Sequence, residues 1–298
     1  MLAEPKLLSD LECLLDDLPR DQDALLYYLF YNGQLITPKP AQEPLDFRVD
    51  KNNHRFIHIG KQRQVTLVEC FISEDDSSSF IESQTTITLD AHATLHHCIL
   101  QQAMSDGTLR SQTHIHQKNI SIYQGTTLLI GGLLNQCLLN LHLEETHAQA
   151  NIYGLQIGKG CEKIEQRLCM NHQSPHCQTH VKTRGVAHDR STLSFHGTII
   201  VQKEAFNCDA ALENKNLLLS DKAILHTQPQ LDIHQADVRC THGATVGHLD
   251  LEALFYLQSR GISAQEAKAL LIDAFIHPML EGLSKPLALF VRGLINGS

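Results

Sequence analysis

The chain has 298 residues, enough for one large core or two modest domains, and carries 24 Lys and Arg against 33 Asp and Glu for a formal charge of -9. That acidic balance lacks the clustered cations that duplex DNA or RNA demands, so nucleic acid is excluded as a first partner. No apolar run of about 18 residues could span a bilayer, and Met1 to Arg20 has neither the basic start nor the apolar core of a leader; the expectation is a cytoplasmic protein with no membrane partner.

In chain order, Leu7, Leu8, Leu11, Leu14, Leu15 and Leu18 recur at helical spacing until Pro19, which predicts a first helix. The apolar piece Asp23 to Tyr31 follows, closed by Asn32-Gly33, and the proline-rich run Thr37 to Pro44 reads as a linker. Residues 1–44 are therefore expected to form a helical segment plus linker. From about His54 the period changes to two. Short β-branched or aromatic runs at Phe56–Ile59, Val65–Val68, Thr86–Leu89, Ile120–Tyr123, Thr198–Val201 and Leu231–Ile233 predict many strands. Breaks such as Ser105-Asp106-Gly107 and Gly158-Lys159-Gly160 separate them.

A sandwich, a barrel or a parallel β-helix could each use such strands. Short strands and sparse hairpin signals favour the β-helix, with inward Leu, Ile and Val stacking from coil to coil. A strict hexapeptide period is absent. Helices return at the end. Asp250 caps one running to Arg260, which Gly261 terminates. Ser263 and Glu266 form a capping box for a second, whose stripe is Ala267, Leu270, Leu271, Ala274 and Phe275. Pro278 bends or ends it, and Pro286 to Ile295 could form a last helix. The expected fold is mainly β, a parallel β-helix (solenoid) core at 45–247 between an N-terminal helical segment and a C-terminal helical domain at 248–298.

Nine cysteines without a CxxC pair suit free, buried thiols, whereas 19 histidines make metal binding worth testing. Three clusters stand out. Cys240 and His242 are two apart, so a strand puts both on one face; thiolate and imidazole suit iron or zinc, but two donors fall short of a site. His172, His176, Cys177 and His180 lack separated ligand pairs and read as a polar outer row. His92, His96, His97 and Cys98, with His114 and His116, read as solvent-facing positions. No GxSxG, P-loop, GxGxxG before a helix, or HExxH is present, and Gly125 and Gly131-Gly132 read as turn glycines. No catalytic residue is assigned, and the chain is not expected to be an enzyme.

Phe195-His196-Gly197-Thr198-Ile199-Ile200-Val201, Cys208-Asp209-Ala210, Asn214 to Ser220, Thr227 to Ile233, Asp237 to Gly247 and Leu254 to Ser263 together resemble the SufB/SufD family of iron–sulfur cluster assembly subunits. The firm match runs from Gly185 to Phe275. The sequence takes the SufD side. After Ser220-Asp221-Lys222 it has Ala223 where the SufB branch has Cys, and His242-Gly243-Ala244 stands where SufB has His-Glu-Ala. It departs from the family at Phe206 and Leu212, and it is short for it.

What the resemblance implies is a scaffold subunit of the SUF complex that pairs with a SufB-like subunit and docks a SufC-like ATPase. His242, and less firmly Cys240, would assist iron entry or cluster formation, with His242 the possible metal contact. Leu254, Tyr256, Leu257, Leu270, Leu271 and Phe275 would form the ATPase docking surface. Iron or a cluster would be held only transiently in the complex, with no cofactor bound stably by this chain. Two other readings stay open: a His-rich metalloenzyme using His114 and His116, and a β-helical module that forms homodimers.

Overall fold

The computed structural model describes residues 54–73, 80–103 and 106–280 in full, and the backbone of strands at 24–31, 34–36 and 46–49. The expected helices at Leu7–Leu18 and Pro286–Ile295 lie outside the described residues. Two units are present, one holding 23–249 and the other the C-terminal helices.

The larger unit is a parallel β-helix of about six turns. Each coil sends one strand to each of two sheets. One sheet holds β1 (Ala24–Tyr31), β2 (Gln34–Ile36), β5 (Gln64–Ser73), β7 (Thr94–Ala103), β9 (Ile122–Gly131), β11 (Gln149–Gly158), β13 (Gln178–Ala187), β15 (Cys208–Leu218) and β17 (Val238–His248). The other holds β3 (Asp46–Val49), β4 (His54–Ile59), β6 (Phe80–Leu89), β8 (Thr108–Gln117), β10 (Leu134–Leu143), β12 (Lys163–His172), β14 (Thr192–Val201) and β16 (Ile224–Ile233).

Strand alternation buries every second residue, as in β10 and β14, so that Leu139, Leu141, Leu143 and Phe195, Ile199, Val201 stack in the core. At the first end both sheets finish on antiparallel strands, β2 against β1 and β3 against β4. At the other they finish on β17 and β16.

Two local expectations change. Ala24–Tyr31, read with the helical segment, is a strand lying parallel on β5, where tertiary pairing outweighs local helix propensity. Ile120, read as the start of a strand, is a corner with φ 55°, and β9 begins at Ile122.

The corners repeat. Gln62, His92, Ile120, His147, His176 and Asn207 all adopt positive φ, between 52° and 61°. Each donates its N–H to a carbonyl one coil on: Ala91, Asn119, Thr146, Pro175, Phe206 and Asp237. The left-handed residue turns the chain, and its hydrogen bond to the next coil holds it there. From the second corner onward the following residue is small and buried: Ala93, Ser121, Ala148, Cys177 and Cys208. Gly131 and Gly132 turn the opposite side with φ 71° and 99°, whereas Gly125 lies inside β9, beneath the Tyr123 ring that a Cβ would strike.

The interior is not wholly apolar. Arg55 and Glu69 form a fully buried ion pair at 2.8 Å, and His97 Nε2 lies 2.9 Å from the same carboxylate. A carboxylate only accepts, so Nε2 donates, and in the neutral ring Nδ1 then accepts from the Tyr123 hydroxyl at 3.2 Å. Burial works against the Glu69 charge, but Arg55 and His97 outweigh it and hold the carboxyl at about 2. His97 and Cys98 are thus core residues, contrary to their reading as solvent-facing, and the hydrogen-bond partners of His97 sit on other coils. Burial also pushes Cys70 and Cys137 up to about 12, which keeps those thiols protonated and inert.

The helical unit follows the expected caps. Asp250 accepts from the N–H groups of Glu252 and Ala253 at the start of α1 (Leu251–Ser259), and Gly261 leaves it at φ 88°. Ser263 and Glu266 form the capping box of α2 (Ala264–Ile276), and a short 3-10 turn follows at His277–Met279 with Pro278 in it.

Candidate functional site at the open end

The last coil differs from those before it. In β16 and β17 the inward positions Leu225, Thr227, Leu231, Val238 and Cys240 are only half-buried, because no further coil covers them. Register places Cys240 beside Ala210 and His242 beside Leu212, both core residues, so Cys240 and His242 share the inward face of β17. His242 is nevertheless exposed. Burial, then the neighbouring Cys208 and Asp209, pushes the Cys240 thiol up, so ligation of a metal there would have to displace a proton.

Behind this end lies a polar group that sequence reasoning had quoted only as a motif. Asn214 donates to Thr183 Oγ1 at 2.8 Å and accepts from Thr227 Oγ1 at 2.8 Å, and Asn216 donates to Asn214 Oδ1. The Asn-x-Asn spacing places both amides on the inward face, which is the signal that could have found them. Beside β17 a concavity of about 520 Å³ is lined by Asn151, Tyr153, His180, Lys182, Glu213 and His242, among others. Burial opposes the Glu213 charge, but Lys215 and Arg184, each 2.9 Å away, hold its carboxyl below the usual range.

Two nearby positions add no metal donor. Ala223 is half-buried in the turn before β16, and Gly243 has open space where a Cβ would stand. Among the described residues no three His, Cys, Asp or Glu side chains are disposed to hold a metal ion. Cys240 and His242 therefore offer two donors, fewer than the three or four that protein side chains usually supply to a metal site.

The other sequence clusters separate. His172 and Cys177, read as part of an outer polar row, are buried; they face the interior at the end of β12 and at the corner before β13. His176 turns that corner, stacked on His147 at 4.8 Å, and His180 is exposed. His114 and His116 do share an outer face, with His142 stacked 4.8 Å from His116, and His116 Nδ1 lies 2.6 Å from Glu144. On the helices, Tyr256 and Leu270 are exposed, whereas Leu254, Leu257, Leu271 and Phe275 are half-buried. Of the predicted stripe on α2 only Ala267 is buried, with Ile276 beyond it, and Ala274 is exposed.

A family model described as the SUF system FeS cluster assembly SufBD core domain matches residues 47–275. The chain is 29% identical over 234 residues to the iron–sulfur cluster assembly protein SufD of Escherichia coli, an alignment covering 76% of this chain and 54% of that protein. It is 27% identical to an iron–sulfur cluster assembly SufBD family protein of Synechocystis sp., covering 85% and 56%. It is 23% identical to the protein ABCI7, chloroplastic, of Arabidopsis thaliana, covering 86% and 53%. The chain thus spans about half the length of these relatives.

Proposed function

The chain belongs to the SufB/SufD family of iron–sulfur cluster assembly proteins, on its SufD-like side, and from that premise we propose that it is a non-catalytic scaffold subunit for cluster formation. It pairs with a SufB-like subunit through the open end of the β-helix. The observation that carries this is the uncovered last coil: two edge strands of ten and eleven residues, β16 and β17, border inward positions that remain half-exposed. Edge strands offer unpaired N–H and C=O groups that a second sheet can take up, and such pairing would cover the half-exposed apolar row.

In that pairing His242 and Cys240 supply part of an iron site, and the partner supplies the rest. Iron, or the nascent cluster, is cargo at this junction. A neutral imidazole ligates ferrous iron and gives it up when protonated, which suits delivery rather than storage. The exposed apolar side chains of α1 and α2, Tyr256 and Leu270 with Phe255 and Leu251, form the surface for a SufC-like ATPase.

Co-expression of this chain with SufB-like and SufC-like subunits, followed by gel filtration, tests the reading. A ternary complex is expected, and substitution of Leu270 by Asp should release the ATPase while leaving the β-helix pair intact. Elution of this chain without the SufB-like subunit, alone or as a homodimer, would count against the proposal.

A further inference from the structure

We infer that Cys177 and Cys208 form a reversible dithiol–disulfide site, with His172 as its base and a small hydroperoxide as its oxidant. This inference does not depend on the scaffold reading.

Position comes first. Both cysteines occupy the small residue after the left-handed corner, the place that Ala93 and Ala148 fill elsewhere. Alanine suffices there for packing, so two thiols on consecutive coils are not required by the fold. They immediately precede the paired residues Gln178 and Asp209, and Asp209 N–H donates to the Cys177 carbonyl at 3.0 Å. Neighbouring strands lie about 4.8 Å apart. That spacing falls inside the Cα separation that a disulfide spans, roughly 4.4–6.8 Å.

Chemistry comes second. Cys208 is held below the ordinary thiol range, first by the adjoining Cys177 thiol and then, against the cost of burial, by the His172 imidazole, while Cys177 Sγ reaches the Glu145 carbonyl at 3.3 Å and Cys208 Sγ the Ser174 carbonyl at 3.4 Å. The buried Cys70, Cys98 and Cys137 are all pushed the other way. The His172 ring is fixed through Nε2, 2.9 Å from Thr179 Oγ1, and its Nδ1 is buried without a hydrogen-bond partner. A fully buried imidazole with a spare nitrogen beside a thiol pair is the arrangement that accepts a thiol proton.

The reaction balances. His172 takes the Cys208 proton, and the thiolate attacks one oxygen of the hydroperoxide. The O–O bond breaks, giving Cys208 sulfenic acid and a hydroxide or alkoxide that recovers the proton as water or alcohol. The Cys177 sulfur then attacks the Cys208 sulfur, forming the S–S bond and releasing water. A dithiol reductant reverses it by exchange. Both thiols lie beneath the corners at Pro175–His176 and Phe206–Asn207, so opening a corner, rather than the sheet, admits the oxidant.

The test treats the full-length protein with hydrogen peroxide, blocks remaining thiols with N-ethylmaleimide under denaturing conditions, and digests with trypsin. The expected product joins peptides 168–182 and 204–215, with fragment ions placing the bond at Cys177 and not Cys169, and dithiothreitol reverses it. In Cys177→Ala, dimedone should trap Cys208 as its sulfenic acid; His172→Gln in that background should slow trapping by about tenfold or more. Circular dichroism confirms that each variant is folded. The inference is overturned if Cys177 and Cys208 remain alkylatable after the exposed Cys161 is oxidised, if Cys208 pairs instead with Cys240, or if His172→Gln leaves the trapping rate unchanged.

Discussion

The two ends of the β-helix treat charge and polarity in opposite ways. Near the start, Arg55, Glu69, His97 and Tyr123 are sealed in the core, each about 2% exposed or less, and are linked by an ion pair and hydrogen bonds across four strands. At the far end, Cys240 and His242 occupy equivalent inward positions, yet half-burial and exposure leave them available. The same alternation places both groups on the inside. What differs is whether another coil follows. An inward polar side chain is therefore sealed or accessible according to its coil, not its residue type.

The largest effect should come from breaking the sealed network. Glu69→Leu leaves Arg55 buried without its carboxylate, and a loss of about 3–5 kcal/mol is expected in urea unfolding. A loss near zero would mean that the network contributes little to folding.

Acid gives a graded version of the same comparison. Glu69 is held at about 2 against an ordinary value of 4.5, so it binds its proton less readily folded than unfolded. Its stabilisation is full above about pH 4.5 and is lost as pH falls toward 2. The stability difference between wild type and Glu69→Gln should therefore shrink across that window. A difference independent of pH would remove the charge from the explanation.

The smallest effect on folding belongs to the open end. His242→Ala should change unfolding free energy by no more than about 0.5 kcal/mol, since the side chain is exposed. Cluster assembly by the complex should nevertheless fall by roughly tenfold or more, the scale on which metal sites respond to altered ligand sets. Full assembly activity in that variant would rule out the proposed role of the imidazole.

Much of this molecule was legible as sequence. Alternation from His54 onward marks the strands, and the caps at Asp250 and Ser263 mark the two helices to within a residue. Cys240 and His242 were placed on one face by spacing alone. The interior was harder. Arg55, Glu69 and His97 lie far apart in sequence and meet only because successive coils stack, so no local pattern reports them. The coil repeat of roughly 30 residues was equally hidden, since the corners keep a backbone conformation and a small following residue but not an amino-acid identity. Cys177 was misplaced for that reason: without the corner register, a cysteine flanked by histidines looks like surface.

Under the proposed pairing, the unequal ends also set a stoichiometry. Each sheet finishes at one side on a short antiparallel strand, β2 or β3, which blunts that edge, and at the other on the long parallel β17 or β16. A solenoid adhesive at both ends could polymerise head to tail; one adhesive at a single end runs out of free edges as soon as two such ends meet. Joined through that edge, the assembly terminates at a pair. The residues on the last coil of each member then face a single shared junction rather than a repeating series of them.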